Sequence, residues 1–223
     1  MLEKNLLEVI NLIKDGNPFG EPVVLCGATK TVPVDQINKA IDLGLSVVAE
    51  NRVQEFRDKT EFIDKRAEQH FIGHLQTNKV KYLVGKVSLI HSVDSFKLAK
   101  VISDESVKKN VVTNVLIEVN VGGELSKSGF DLDNVKLAVK EISTYKNVVV
   151  KGLMAMLPKA DEKTITPLCI KMRSIYDELK STGYDFNVLS MGMSGDFMTA
   201  IKCGSNMIRL GSHIFGNRNY EVK

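Results

Sequence analysis

Lys30 is the first residue of this sequence whose type and position point to chemistry. It ends the run VVLCGATK, residues 23–30, which is mostly apolar and typical of a buried β-strand. The two-residue alternation of a strand places its side chain on the side shared with Cys26 and Ala28. An amine at such a strand end loses part of its hydration, which favours the neutral form that attacks a carbonyl carbon. We therefore expect Lys30 to act as a nucleophile.

Two turns near the other end of the sequence combine glycines, hydroxyl groups and backbone N–H groups. They are MGMSG, residues 191–195, and RLGS, residues 209–212, and a helix is predicted after the first. Such turns suit a phosphate dianion, because hydrogen bonds and a helix dipole both stabilise negative charge there. Barrel enzymes often bind phosphate at their last two loops.

The elements that must position these residues follow from hydrophobic periodicity. Short β-branched runs alternate with amphipathic helices, after an opening helix at about residues 2–14. The predicted strands lie near residues 23–30, 46–50, 70–74, 88–93, 113–121, 148–157, 186–193 and 206–211. Eight such repeats predict a (β/α)8 TIM barrel that forms a single domain over residues 1–223, with an additional N-terminal helix. The competing fold, an open doubly wound sheet, usually carries a GxGxxG turn, which residues 27–33 lack.

In a closed barrel the last strand lies beside the first, so Arg209 and Lys30 become neighbours. A lysine nucleophile, an arginine and a phosphate pocket then meet at one barrel mouth. This set suits pyridoxal 5′-phosphate, with the lysine forming a Schiff base and the arginine facing the pyridine nitrogen. It also suits a class I aldolase that binds a sugar phosphate, and the chemistry of the residues leaves both open.

Seven segments in register resemble the pyridoxal-phosphate homeostasis proteins, single-domain relatives of the N-terminal barrel of alanine racemase. Two mild departures from the family are Ala49, where glycine is common, and Ser212, where threonine is frequent. The matching segments are ATKT with Pro33, ENRVQE at 50–55, HFIGHLQTNK at 70–79, SKSG at 126–129, GLMAM at 152–156, LSMGMS at 189–194 with Asp196, and RLGS at 209–212 continued by Phe215, Gly216 and Arg218.

The resemblance implies roles around pyridoxal 5′-phosphate for a small set of residues. They are Lys30 as the Schiff-base lysine, Asn51 beside the ring, Arg209 at the pyridine nitrogen, and Ser194, Gly211 and Ser212 as phosphate ligands. It also suggests Lys127 as a second reactive or phosphate-contacting lysine.

Composition excludes several other classes of protein. Lys and Arg number 30 against 27 Asp and Glu, a net charge of +3 that is too small and too mixed to indicate a nucleic-acid surface. We expect no membrane span, no signal peptide and a cytoplasmic location. Cys26, Cys169 and Cys203 lack metal or disulfide spacing, and His70 and His74 on one strand would lie roughly 13 Å apart, so we expect no metal.

The expected function depends on which residues surround the cofactor. Racemisation needs a second base, which alanine racemase takes from another domain, and we expect none in this chain. A pyridine ring whose nitrogen faces an arginine stays unprotonated, and an unprotonated ring is a weak electron sink. We therefore expect a monomer that stores, buffers or delivers pyridoxal phosphate, with PLP-dependent apoenzymes as recipients, and that affects amino-acid and keto-acid pools indirectly. The alternative is a racemase-like PLP enzyme of low activity.

Overall fold

A computed structural model of the chain describes residues 1–124 and 128–216. Nine β-strands occur within these residues, eight of which form a barrel. The strands are β1 Val24–Ala28, β2 Val47–Glu50, β3 Glu68–Phe71, β4 Leu89–Val93, β5 Thr113–Asn120, β6 Phe130–Asp131, β7 Val148–Ala155, β8 Val188–Ser190 and β9 Met207–Leu210.

Helices follow or precede these strands on the outside. They are α1 Leu2–Ile13, α2 Val34–Asp42, α3 Val53–Lys59, α4 Phe96–Lys109, α5 Val135–Ile142, α6 Glu162–Ser181, α7 Phe197–Lys202 and α8 Ser212–Phe215, with 3-10 helices at Thr77–Tyr82 and Leu132–Asn134. None of the helices in the described residues has the length and apolar composition needed to cross a membrane.

The barrel closes with all strands parallel. Its order is β4-β3-β2-β1-β9-β8-β7-β5, and β4 pairs with β5 to complete the ring. The first and last strands are paired, with Cys26 opposite Arg209. The two-residue β6 pairs only with the end of β5, outside the ring. The predicted (β/α)8 barrel and N-terminal helix are confirmed, and the open-sheet alternative is wrong.

All eight barrel strands differ from the sequence prediction by one to three residues at one or both ends. The differences at β1 and β3 change the placement of candidate residues. β1 ends at Ala28, and Lys30 lies in the following turn, where the Val32 N–H bonds to the Thr29 carbonyl. This turn leads to Pro33, which has no backbone N–H and therefore cannot donate a hydrogen bond to a neighbouring strand. β3 begins at Glu68 and ends at Phe71. The prediction that His74 lies on this strand is therefore wrong.

Side chains alternate between the barrel interior and the helical layer. Outward residues such as Leu25, Ile90 and Leu189 pack under the helices. Part of the interior is apolar and is filled by Cys26, Val47, Ala49 and Met207 and by Leu89, Leu116 and Met154. Buried polar residues continue the same inward-facing rows, namely His70, His91, Glu118, Ser190 and Arg209. The interior is therefore a packed core with a polar part.

Candidate functional site

A cavity of about 450 Å³ lies at the carboxyl ends of the barrel strands. This volume is within the range typical of small-molecule sites, roughly 300 to 1,000 Å³. The structure brings six of the residues predicted from the sequence to its wall: Lys30, Asn51, Ser194, Arg209, Gly211 and Ser212. They come from loops after β1, β2 and β8 and from the end of β9 and its loop.

A partly buried ion-pair cluster lies behind the Lys30 turn and holds it in place. The Lys59 ammonium donates to the Thr29 carbonyl at 3.0 Å, to Glu50 Oε1 at 2.9 Å and to Glu55 Oε2 at 2.9 Å. The Thr29 hydroxyl donates to Glu50 Oε1 at 2.7 Å. Burial raises the pKa of Glu50, although hydrogen bonds from Lys59 and Thr29 oppose the shift. The strand end before Lys30 is thus tied to both β2 and α3.

The other side of the turn is held by the first turn of α3. The Thr31 N–H donates to Glu55 Oε2 at 2.7 Å, and Thr31 has a positive φ of 64°. A left-handed conformation is uncommon for a β-branched residue and persists where surrounding contacts enforce it. Burial acts to raise the pKa of Glu55, but hydrogen bonds from Thr31 and Lys59 lower it overall. The backbone around Lys30 is therefore fixed by charge-assisted contacts.

Arg209 is buried at the base of the cavity, with 5% of its surface exposed. Nη1 donates to the Ser190 carbonyl at 2.9 Å and to the Ser190 hydroxyl at 2.5 Å, and Nη2 donates to the Ala155 carbonyl at 2.9 Å. Burial lowers the pKa of Arg209 below its ordinary value, but an arginine stays protonated in proteins and only donates hydrogen bonds. A ring nitrogen that faces it must therefore be an acceptor.

Two hydroxyl groups face each other across the loops that follow β8 and β9. The Ser212 and Ser194 hydroxyl oxygens lie 3.3 Å apart. A Cβ at Gly211 would lie 3.2 Å from the Ala28 carbonyl oxygen, so glycine lets the β9 loop approach β1. The Met193 N–H donates to Asp196 Oδ1 at 2.5 Å, which fixes the loop between β8 and α7. This pair of hydroxyls presents donors to an anion.

Asn51 carries a buried polar atom whose partner is missing from the described part of the protein. Its Oδ1 is buried and accepts no hydrogen bond there. Its backbone is pressed against the loop after β3, because a Cβ at Gly73 would lie 1.9 Å from the Asn51 carbonyl oxygen. An unsatisfied buried acceptor costs about 1 to 3 kcal/mol, which a polar ligand can recover.

The other predicted positions lie elsewhere. Lys127 and Ser126 fall outside the described residues. His70 is buried inside the barrel, whereas His74 is exposed and lies 3.2 Å from Asp94 Oδ2.

Within residues 1–124 and 128–216, no three His, Cys, Asp or Glu side chains form a group that could hold a metal ion. Cys26 is fully buried, and burial raises the pKa of its thiol to about 12.

Glu118 is a buried carboxyl that the sequence analysis missed. Burial and the nearby Asp94 raise its pKa to about 7, although Arg209 and His74 oppose the shift. A raised folded-state pKa means that the neutral carboxyl is favoured in the native barrel. Its contribution to stability is then fully present below its unfolded pKa of 4.5 and is lost as the pH rises through about 7.

We therefore expect the free energy of unfolding of the unmutated protein, measured relative to that of Glu118→Gln, to fall by up to about 3 kcal/mol between about pH 4.5 and pH 8. Urea unfolding across this pH range measures the effect, with the exposed Glu61→Gln as a matched control. Parallel pH profiles for the unmutated and Glu118→Gln proteins would contradict the assignment.

Comparisons with known proteins connect the chain to a family. Residues 24–219 match the profile of the alanine racemase N-terminal domain. A pyridoxal phosphate homeostasis protein of Aquifex aeolicus is 47% identical over 202 residues, which is 88% of this chain and 87% of that protein.

Two solved structures resemble the barrel over nearly its whole length. A protein of unknown function from Bifidobacterium adolescentis superposes with a TM-score of 0.91 at 33% identity, covering 96% of this chain and 94% of that one. PipY of Synechococcus elongatus, with PLP bound, superposes with a TM-score of 0.85 at 26% identity, covering 97% of this chain and 100% of that one.

Proposed function

This chain belongs to the pyridoxal phosphate homeostasis proteins, whose barrel is that of the alanine racemase N-terminal domain, and we propose that it binds pyridoxal 5′-phosphate as a Schiff base of Lys30. In this proposal the protein is a cytoplasmic monomer that stores, buffers or delivers the cofactor. PLP-dependent apoenzymes are the recipients, and amino-acid and keto-acid pools respond indirectly.

The observation that carries this proposal is the donor set that lines one cavity. It offers an amine at Lys30, a donor-only guanidinium at Arg209 and a hydroxyl pair at Ser194 and Ser212. These groups match the aldehyde, the unprotonated pyridine nitrogen and the phosphate of the cofactor in turn. The buried Asn51 amide adds a polar contact without a described partner. The relatives' name favours this cofactor over the sugar phosphate of the aldolase alternative.

Lys30 has the covalent role. Bound pyridoxal phosphate supplies an aldehyde carbon that condenses with an amine and a ring that withdraws electrons. The neutral Lys30 amine attacks that carbon, and one water molecule leaves as the C=N bond forms. The Lys59 cluster supports the reaction by fixing the backbone on both sides of Lys30, which keeps the amine at the cavity wall.

Arg209 favours the carrier function over catalysis. Because its N–H groups only donate, a facing pyridine nitrogen stays unprotonated and stabilises negative charge at the amino-acid α-carbon poorly. Among the described residues that line the cavity, Lys30 and Arg209 are the titratable ones. A racemase-like enzyme of low activity is the second candidate, favoured by the match to the alanine racemase domain.

Removing either hydroxyl tests the phosphate part of the proposal. Ser194→Ala and Ser212→Ala each delete one donor to a dianion, and hydrogen bonds to charged groups are worth about 1.5 to 3 kcal/mol. We expect each variant to bind pyridoxal phosphate roughly tenfold to a hundredfold more weakly. Fluorescence or absorbance titration measures Kd, with the exposed Ser181→Ala as a control.

Unphosphorylated pyridoxal provides the complementary control, because its affinity does not depend on a phosphate pocket. It should bind the unmutated protein and both serine variants equally. Equal affinity of the unmutated protein for the phosphorylated and unphosphorylated forms would remove the basis for this pocket.

A further inference from the structure

A continuous row of polar side chains runs through the inside of the barrel. It begins at Glu68, at the start of β3, whose Oε2 lies 3.2 Å from His70 Nε2. His70 Nδ1 lies 3.0 Å from His91 Nε2, and His91 Nδ1 lies 3.4 Å from the Ser190 hydroxyl. Arg209 Nη1 reaches the same hydroxyl at 2.5 Å. Four strands, β3, β4, β8 and β9, thus contribute to one chain of contacts that ends at the cofactor cavity.

One arrangement of protons satisfies both ends of this row. Arg209 can only donate, so the Ser190 oxygen accepts from it, and the Ser190 O–H can then donate to His91 Nδ1. His91 is neutral in this arrangement, with its proton on Nε2, which donates to His70 Nδ1. His70 carries its proton on Nε2 and donates to the Glu68 carboxylate. Every contact in the row is satisfied while both imidazoles are neutral.

Burial and charge agree with that assignment. His91 and Ser190 have no exposed surface. Burial lowers the pKa of His91 well below its ordinary value, and the neighbouring His70 and Arg209 act in the same direction. The Glu68 side chain is 65% exposed, and the hydrogen bond from His70 lowers its pKa. The row therefore joins a buried guanidinium to a solvent-exposed carboxylate through two imidazoles, of which the fully buried His91 is neutral.

We propose that His70, His91 and Ser190 are positioning residues that orient Arg209 toward the pyridine nitrogen of the bound cofactor, with Glu68 fixing the direction of the row from the opposite end. This inference rests on the proposed function, in which Arg209 faces that nitrogen. Two carbonyls also hold the guanidinium. The Ser190 hydroxyl is the third acceptor, and donation of its own proton to His91 fixes the rotation of the O–H group away from Arg209.

The first test leaves the protein unmutated. Nitrogen-15 NMR of histidine-labelled protein without cofactor should show His70 and His91 as neutral rings with the proton on Nε2. A proton on Nδ1 of His91, or a doubly protonated His70, at neutral pH would overturn the proposal. Glu68→Gln alters only an exposed side chain, and we expect it to give His70 a mixture of the two neutral forms.

The second test uses the protein with pyridoxal phosphate labelled at the ring nitrogen. We expect Ser190→Ala and His91→Leu to shift the nitrogen-15 resonance of the ring and to weaken binding about threefold to thirtyfold, the usual range for residues in a coupled network. Ser103→Ala is the matched control, because it removes a serine hydrogen bond to the Lys146 carbonyl from a buried position on α4, outside the row and the cavity.

The outcomes separate the two proposals. Failure of the unmutated protein to bind pyridoxal phosphate rejects the proposed function and leaves the tautomer test to decide the direction of the row. Normal binding, with both row variants indistinguishable from Ser103→Ala in ring resonance and Kd, rejects the positioning role alone. A shifted ring resonance in Ser190→Ala and His91→Leu, with none in Ser103→Ala, supports it.

Discussion

We expect replacement of Lys30 by alanine to abolish stable binding of pyridoxal phosphate and to leave the barrel folded. Lys30 lies in the turn after β1 and is not part of the hydrophobic core, so its loss should remove the proposed covalent bond without opening a cavity. We expect affinity to fall at least about a hundredfold, equivalent to about 2.8 kcal/mol. The melting temperature without cofactor should stay within about 4 °C, because the half-buried Lys30 side chain lies outside the hydrophobic core.

Absorbance titration measures the loss of affinity, and two variants serve as controls. Lys30→Arg keeps the positive charge but cannot form the Schiff base, so it should fail as Lys30→Ala does. Lys39→Ala removes an exposed lysine from α2 and should bind normally. Tight binding by Lys30→Arg would mean that charge, rather than the covalent bond, holds the cofactor.

We expect the protein with bound cofactor to exchange the α-proton of common amino acids far more slowly than a PLP-dependent racemase does. In the proposed site Arg209 faces the ring nitrogen and leaves it unprotonated, so negative charge at the α-carbon should gain little stabilisation. Enzymes typically turn over at about 1 to 1,000 per second. We expect rates lower by orders of magnitude for every amino acid in a broad panel.

Proton NMR in heavy water follows this exchange directly and detects proton loss even when no product forms. Alanine racemase is the positive control, and Lys30→Ala gives the background. Rapid exchange by the unmutated protein that disappears in Lys30→Ala would favour the racemase-like alternative over the carrier function.

The barrel itself was predictable because hydrophobic residues repeat with a regular period along its strands and helices. Parallel strands buried on both faces give apolar β-branched runs, and helices between them repeat every three to four residues. Closure of the ring then implied that Arg209 and Lys30 lie on neighbouring strands, and β1 and β9 are indeed paired. The ends of β1 and β3 were not predictable, because a turn and a loop contact end them rather than a change in apolar character.

Other parts of the site depend on contacts between distant segments. Lys59 lies on α3 and binds the turn after β1, which no local pattern indicates. Buried polar residues interrupt the apolar strands at three inward-facing positions, His91, Ser190 and Glu118. This interruption was the feature of the sequence that could have indicated them. Their partners depend on the register between strands, so the row that reaches Arg209 could be recognised only in the folded barrel.

The central claim is that Lys30 is the residue to which the cofactor is attached. Borohydride reduction of the unmutated protein with bound pyridoxal phosphate fixes the attachment, and peptide mass mapping then locates it. We predict one pyridoxyl phosphate group per chain, on the peptide that contains Lys30. Attachment on Lys127 or another lysine, with Lys30 unmodified, would contradict the account.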